Sequence, residues 1–154
     1  MGYPPALSKI VAFFESLNEA EKRENLIALA EQAKRHAPRR EEVFDFEEVR
    51  KDAECADTVG VFLRVDREGR ATFRVTLGPE VQTLTRAMAT ILCKGLNGSR
   101  LEEIAALPTD FVEKIVGRVL IRIRSQTVFY VFTRMKKACR NFLKKQRAMH
   151  DSPR

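Results

Sequence analysis

Residues 59–77, VGVFLRVDREGRATFRVTL, decide the fold of this chain. Apolar residues alternate with other residues on both sides of a central DREG, which is the period of a half-buried β-strand. Gly69 in that turn can take the positive φ that closes a short hairpin loop. Arg64, Arg70 and Arg74 fall at alternate positions that suit a solvent face. The stretch therefore predicts an antiparallel β-hairpin with one apolar and one wet face.

Helical signals flank the hairpin. Upstream, apolar residues recur at helical spacing over residues 10–17, and Asn18 with Glu21 reads as a capping box that opens a second helix, which ends before Pro38. Downstream, the apolar periodicity and the helix-breaking residues predict four more helices. The first runs from Val81 to about Gly95, and a short second one begins with a capping box at Ser99 and Glu102. The last two cover residues 110–116 and 126–146.

These elements predict a single α+β domain over residues 1–154. A small antiparallel β-sheet, made of the hairpin plus a third strand, is expected to pack against the N-terminal and C-terminal helices. Residues 147–154 are expected to form a disordered tail.

Length and composition limit the class of protein. A chain of 154 residues with 44% apolar residues can bury one core. The sequence has no run of eighteen apolar residues and no basic-then-apolar start, which predicts neither a membrane span nor a signal peptide and makes the cytoplasm the default compartment.

The cysteines are three in number and widely spaced, at Cys55, Cys93 and Cys139. An odd number at such spacing is a poor disulfide framework, so free thiols are expected. Neither the cysteines nor the two histidines fall at ligand spacing, and no metal site is predicted. Cys139 on the apolar stripe of the last helix and Cys93 beside Leu92 are predicted to be core residues.

Cys55 differs, because ECAD at residues 54–57 is an irregular polar stretch just before a strand. Packing gives no reason for a cysteine at an exposed position there. On the residues alone, a reactive cysteine and a cysteine without a function are therefore about equally expected. The neighbouring acids should keep the proton on the thiol, so a cation must come from elsewhere. Spacing alone leaves the candidates open: Arg86, Arg118, Arg122 and Arg124.

The net charge of +7 invites a nucleic-acid alternative that uses the basic face of the last helix, at Lys136, Arg140 and Lys144. No nucleic-acid motif is recognisable, and Phe62 and Phe73 are assigned to the core rather than to a stacking surface. Nucleic acid is therefore not the expected partner.

The order of parts resembles the SufE-type sulfur acceptor proteins of iron-sulfur cluster assembly. The matching residues are Glu54 to Gly60 around the cysteine, Gly69-Arg70 in the hairpin turn, Arg86, Glu102-Glu103-Ile104, Asp110-Phe111 and Ile123 to Thr127 before the last helix. The chain departs from the family pattern at Glu54, Asp57, Gly60 and Ser125-Gln126-Thr127, where Gly, Ser, a bulky residue and an Asn-Gly segment are usual.

The resemblance implies that Cys55 accepts persulfide sulfur from a cysteine desulfurase of the SufS type and passes it on for iron-sulfur cluster assembly, with an iron-sulfur scaffold complex as a further candidate partner. Arg124 would stabilise the thiolate or persulfide, and Glu54, Asp57 and Arg86 are candidates for partner docking. No cofactor is expected on this chain, because the pyridoxal phosphate belongs to the desulfurase; a cysteine persulfide would be transient.

The resemblance further implies an activator of the desulfurase rather than a stand-alone enzyme, with a resting cysteine tucked toward the protein that swings out on docking. Two matters stay open: whether the chain forms a homodimer, and whether it has kept the acceptor role or serves only as a docking or regulatory subunit.

Overall fold

The computed structural model describes residues 2–151 and confirms the α+β fold. Its elements, in chain order, are α1 (Pro5–Glu15), α2 (Glu19–Glu31), a short 3-10 helix (Ala33–His36), β1 (Phe46–Arg50), β2 (Val59–Val65), β3 (Ala71–Leu77), α3 (Thr83–Leu96), α4 (Leu101–Ala106), α5 (Asp110–Val116), α6 (Arg118–Ile123) and α7 (Ser125–Asp151). No helix within residues 2–151 is long and apolar enough to span a lipid bilayer.

The sheet is antiparallel in the order β1-β2-β3, and β2 with β3 forms the predicted hairpin. Gly69 closes the turn with φ of 78°. The inner face is fully buried at Val59, Val61, Leu63 and Phe73. The third strand, β1, lies in the charged link before the cysteine; its sequence FEEVR carries charges on both faces, so alternation could not locate it.

The outer face of the sheet is drier than expected. Arg64 and Arg74 both pair with Glu42, at 3.0 Å and 3.1 Å, and the side chain of Arg74 is only 12% exposed. Phe62, assigned to the core, instead lies half-buried on this outer face against Phe44, with ring centroids 5.3 Å apart. A Cβ at Gly60 would come within 2.2 Å of the Thr76 hydroxyl, which explains the absence of a bulky residue there.

One predicted capping box forms and the other does not. The Asn18 side chain accepts from Glu21 N at 2.9 Å, and the Glu21 carboxylate accepts from Asn18 N at 2.9 Å. Ser99 makes no such cap, because α4 begins at Leu101 with Arg100 as its N-cap residue and the Ser99 N–H already donates to the Leu96 carbonyl at 3.0 Å. The Ser99 carbonyl accepts a hydrogen bond from Ala71 N at 2.8 Å, at the start of β3. Ser99 therefore extends the sheet edge rather than opening a helix.

The C-terminal region differs from expectation in two ways. The short helix α6 was not predicted, because its six residues, RVLIRI, are too few to show a helical period; Leu120 and Ile121 pack against the core and are partly buried. Helix α7 continues to Asp151, so residues 147–151 are helical rather than a disordered tail; residues 152–154 lie outside the described part.

Helix α3 is the centre of the core, in contact with α1, α2, α7 and β3. Cys93 on α3 and Cys139 on α7 are both fully buried, which confirms their predicted packing role. Burial raises the pKa of each thiol to about 12.

Candidate functional site

The third cysteine, Cys55, lies in the loop of residues 51–58 that joins β1 to β2, here named the Cys55 loop. The thiol is 6% exposed and belongs to the core, whereas Ala53, Glu54 and Ala56 around it are exposed. The expectation of an exposed thiol is therefore wrong for this resting state. The chain turns at Asp52, whose carbonyl accepts from Cys55 N at 3.1 Å, and this turn directs the small side chain inward while its polar neighbours face solvent.

The N-terminal arm of the Cys55 loop is fixed to α7. The Asp52 carboxylate accepts from Arg50 Nε at 2.8 Å and from the Tyr130 hydroxyl at 2.7 Å. These bonds, with the one from Arg50 first, hold the pKa of Asp52 below its usual range. Burial and the bond to Asp52 raise the pKa of Tyr130 to about 12, so the phenol remains a donor at neutral pH.

Behind Tyr130 lies a buried charge, Arg134, which is 3% exposed. Its Nη1 donates to the Val59 carbonyl at 2.6 Å and to the Tyr130 hydroxyl at 3.0 Å, and its Nη2 donates to the Glu48 carbonyl at 2.6 Å. One guanidinium thus ties α7 to both strands that the Cys55 loop connects. Sequence reasoning missed both residues; the available signal was a tyrosine and an arginine four residues apart within the apolar face of the last helix.

The C-terminal arm is fixed to the turn after β3. The Asp57 carboxylate accepts from Thr58 N at 2.7 Å and from Glu80 N at 2.8 Å, and the Thr58 carbonyl accepts from Gly78 N at 2.9 Å. The two backbone donors, Glu80 first, lower the pKa of Asp57. A Cβ at Gly78 would lie 2.4 Å from that carboxylate, so the absence of a side chain at Gly78 makes room for Asp57.

Arg86 supports the same turn. Its Nη2 donates to the Gly78 carbonyl at 2.6 Å and its Nε to the Val81 carbonyl at 3.0 Å. Asp57 and Arg86, both predicted as docking candidates, are thus engaged in holding the loop in this state. Glu54 is exposed and, within residues 2–151, makes no hydrogen bond or ion pair, so it stays a prediction for partner contact.

Arg124 lies elsewhere, exposed at the end of α6. It lines a groove of about 540 Å³ between α2, the start of α3 and α6, opposite Arg23. Among the described residues neither its guanidinium nor that of Arg86 hydrogen-bonds to the Cys55 thiol. Gln82 and Thr83 also line this groove. These two residues follow directly in the chain after Gly78 to Val81, the turn that holds the Cys55 loop.

Two residues on the basic face of α7 make hydrogen bonds within the chain. Lys136 Nζ donates to the Leu107 carbonyl at 2.7 Å, and Arg140 Nη2 donates to the Ala105 carbonyl at 3.1 Å. Both side chains thereby satisfy carbonyls at the C-terminal end of α4. Burial lowers the pKa of Lys136. Two members of the predicted basic stripe are therefore committed within the chain, which weakens the nucleic-acid alternative.

No cluster of three or more potential metal ligands occurs in the part of the chain that the structure describes. The site is thus a single thiol in a loop whose two arms are fixed and whose tip is held by one backbone hydrogen bond.

The anchor at Asp57 predicts a pH effect. Because the pKa of Asp57 is lowered on folding, its contribution to stability is present above the unfolded value of about 3.9 and is lost as the pH falls through the folded value. The urea midpoint of Asp57→Asn should therefore lie below that of the wild type at neutral pH, and the gap should shrink as the pH is lowered below about 3.9. Other carboxylates titrate alike in both proteins, so a constant gap across this range would contradict the assignment.

Comparison with known proteins gives one family and one fold. Residues 8–139 match the family described as SufE, Fe-S metabolism associated domain. A solution structure of a hypothetical protein from Thermus thermophilus is similar in fold, with a TM-score of 0.66 and 23% sequence identity, covering 93% of this chain and 99% of that one. No curated protein matches the sequence.

Proposed function

The chain belongs to the SufE family of Fe-S metabolism associated domains, and on that basis we propose that it is a sulfur acceptor whose acceptor atom is the Cys55 sulfur. It takes persulfide sulfur from a pyridoxal-phosphate-dependent cysteine desulfurase of the SufS type and passes it on for iron-sulfur cluster assembly. The observation that carries the proposal is that Cys55 alone of the three cysteines lies in a loop with exposed neighbours, whereas the other two lie within core helices.

The transfer is a thiol–persulfide exchange. The Cys55 thiolate attacks the terminal sulfur of the partner's persulfide; a new S–S bond forms on Cys55 and the partner's S–S bond breaks. The partner's cysteine leaves as a thiolate, which takes up a proton, so the exchange needs no external oxidant or reductant. Pyridoxal phosphate stays on the desulfurase, and the persulfide on Cys55 is a transient intermediate.

This exchange requires the thiol to leave its buried position, because the attacking sulfur must reach an atom on another protein. The loop tip supports such a motion: within the described chain, residues 53–56 themselves are held by one backbone hydrogen bond and by the burial of one small side chain. Exposing a side chain of that size costs on the order of 1 kcal/mol, which binding of a partner can offset. Arg124 and Glu54, both exposed, remain the side chains proposed to meet the partner or the transferred sulfur.

We further propose that the protein works in the cytoplasm, in line with its three free thiols. There it would act as an activator of the desulfurase, since removing the product sulfur frees the partner's cysteine for another cycle. It would not be a stand-alone enzyme on this account.

A docking subunit without acceptor activity is the second candidate, favoured by the buried thiol and by the commitment of Asp57 and Arg86 to the loop. Binding and turnover measured on one cognate desulfurase distinguish the two. The acceptor account predicts saturable binding, a several-fold rise in alanine formation from cysteine, and sulfur on this chain. Binding without sulfur uptake would replace it with the docking account.

A further inference from the structure

A chain of polar groups runs from the interior of α7 to the Cys55 loop. Arg134 contacts the Tyr130 hydroxyl at 3.0 Å, and that hydroxyl donates to Asp52 Oδ2 at 2.7 Å. The Asp52 carbonyl in turn accepts from Cys55 N at 3.1 Å. Three consecutive hydrogen bonds therefore connect a buried cation to the residue that carries the thiol.

Polar groups at these depths are costly, because a buried guanidinium and a buried phenol lose their hydration. Tyr130 is 4% exposed and Arg134 is 3% exposed, and Val131, Phe132 and Met135 around them are fully buried. Apolar side chains of similar volume would avoid that cost but would leave each acceptor of these donors one hydrogen bond short. Among the described residues, the hydroxyl of Tyr130 bonds outside α7 to Asp52 alone, so its use is to be sought in the Cys55 loop.

We propose that Tyr130 is a positioning residue that holds the Cys55 loop closed over its thiol. Its hydroxyl fixes Asp52, and Asp52 is the residue on which the turn at Cys55 closes. On the other side of the thiol, Asp57 is fixed to Glu80. Between these two anchors, residues 53–56 make one hydrogen bond to the rest of the described chain, that of Cys55 N. Loss of the hydroxyl leaves Asp52 bonded to Arg50 on its own arm of the loop but no longer to α7, which loosens the tip that must open.

The substitution Tyr130→Phe tests this with little other damage. Asp52 keeps its bond from Arg50 Nε at 2.8 Å, and Arg134 Nη1 keeps the Val59 carbonyl at 2.6 Å, so neither group is left without a partner. The ring remains to fill its space. The chain offers a matched control in its other tyrosine, Tyr3, whose hydroxyl donates to Asp110 on α5 at 3.0 Å.

The experiment is the rate at which iodoacetamide alkylates Cys55 in the full chain with no desulfurase present, followed by mass spectrometry of the Cys55 peptide at several pH values. Tyr130→Phe should raise the rate several-fold at every pH, because opening limits access, whereas Tyr3→Phe should leave it unchanged. A change confined to the thiol pKa would instead displace the pH profile along the pH axis.

A double-mutant cycle adds a second, independent reading. In an Asp52→Ala background the hydroxyl has lost its acceptor, so Tyr130→Phe should add no further increase. Any of four results would overturn the proposal. The alkylation rate of Tyr130→Phe could equal that of the wild type, or both tyrosine variants could show equal increases. The pH profile could merely be displaced, or the effect of Tyr130→Phe could add fully to that of Asp52→Ala. The functional meaning of the Tyr130–Asp52 bond rests on the proposed acceptor role, but the alkylation assay does not use a desulfurase. Failure of this proposal is therefore distinguishable from failure of the proposed acceptor role.

Discussion

Cys55→Ser is expected to abolish sulfur uptake from a cysteine desulfurase while leaving the fold and partner binding in place. The hydroxyl that replaces the thiol is not ionised at neutral pH and cannot carry a persulfide, so the nucleophile and the carrier atom are lost together. The two side chains differ little in size, but the hydroxyl enters a buried position, so a loss of about 1–3 kcal/mol in stability is expected without loss of the fold. The measurement is transfer of ³⁵S from labelled cysteine, which should fall to the background without acceptor.

The matched controls are Cys93→Ala and Cys139→Ala. Both thiols are fully buried, and with each pKa at about 12 they hold almost no thiolate at neutral pH. Per folded molecule, both variants should keep most of the uptake. Retained uptake in Cys55→Ser, or its loss in a well-folded Cys93→Ala, would move the acceptor role away from Cys55.

Arg134→Met is expected to produce the largest loss of stability among single changes near the site. Methionine fills a similar volume but donates nothing, so the buried Val59 carbonyl and the part-buried Glu48 carbonyl each lose a donor at 2.6 Å. Leaving a buried acceptor unpaired costs about 1–3 kcal/mol and a part-buried one costs less, so a decrease of roughly 2–4 kcal/mol in the free energy of unfolding is expected. Urea unfolding followed by circular dichroism measures it.

Arg140→Met on the same helix is the control for Arg134→Met. Arg140 is exposed and makes one hydrogen bond, to the Ala105 carbonyl at 3.1 Å, so its loss should change the free energy of unfolding by about 0.5 kcal/mol or less. If both variants unfolded at the same urea concentration, the polar chain between α7 and the Cys55 loop would not be the anchor that its geometry indicates.

The sequence predicts best where one periodic pattern covers a whole element. The hairpin was predicted because Val59 to Leu77 alternates without interruption around a turn glycine. Strand β1 was not located, because its register places Glu48 and Arg50 on the inner side, where they meet polar partners rather than apolar ones. Ser99 shows a different limit: the capping signal is present, but the Ser99 N–H donates to the Leu96 carbonyl and the helix begins one residue later than the signal predicts.

The candidate cysteine could be selected from the sequence, but its surroundings could not. Cys55 stands out by its polar neighbours, but the turn at Asp52 that buries it leaves no periodic signal. Tyr130 and Arg134 were missed because their partners, Asp52 and Val59, are separated from them by 78 and 75 positions in the chain. Such pairings follow from the docking of α7 on the sheet, which local patterns do not specify.

The most direct test of the account is the mass of each cysteine-containing peptide after wild-type protein has been incubated with a cognate desulfurase and cysteine, alkylated and digested. The account predicts a gain of one sulfur atom on the peptide that contains Cys55 and none on those that contain Cys93 or Cys139. With the desulfurase shown to be active and bound, no added sulfur on the Cys55 peptide would contradict it.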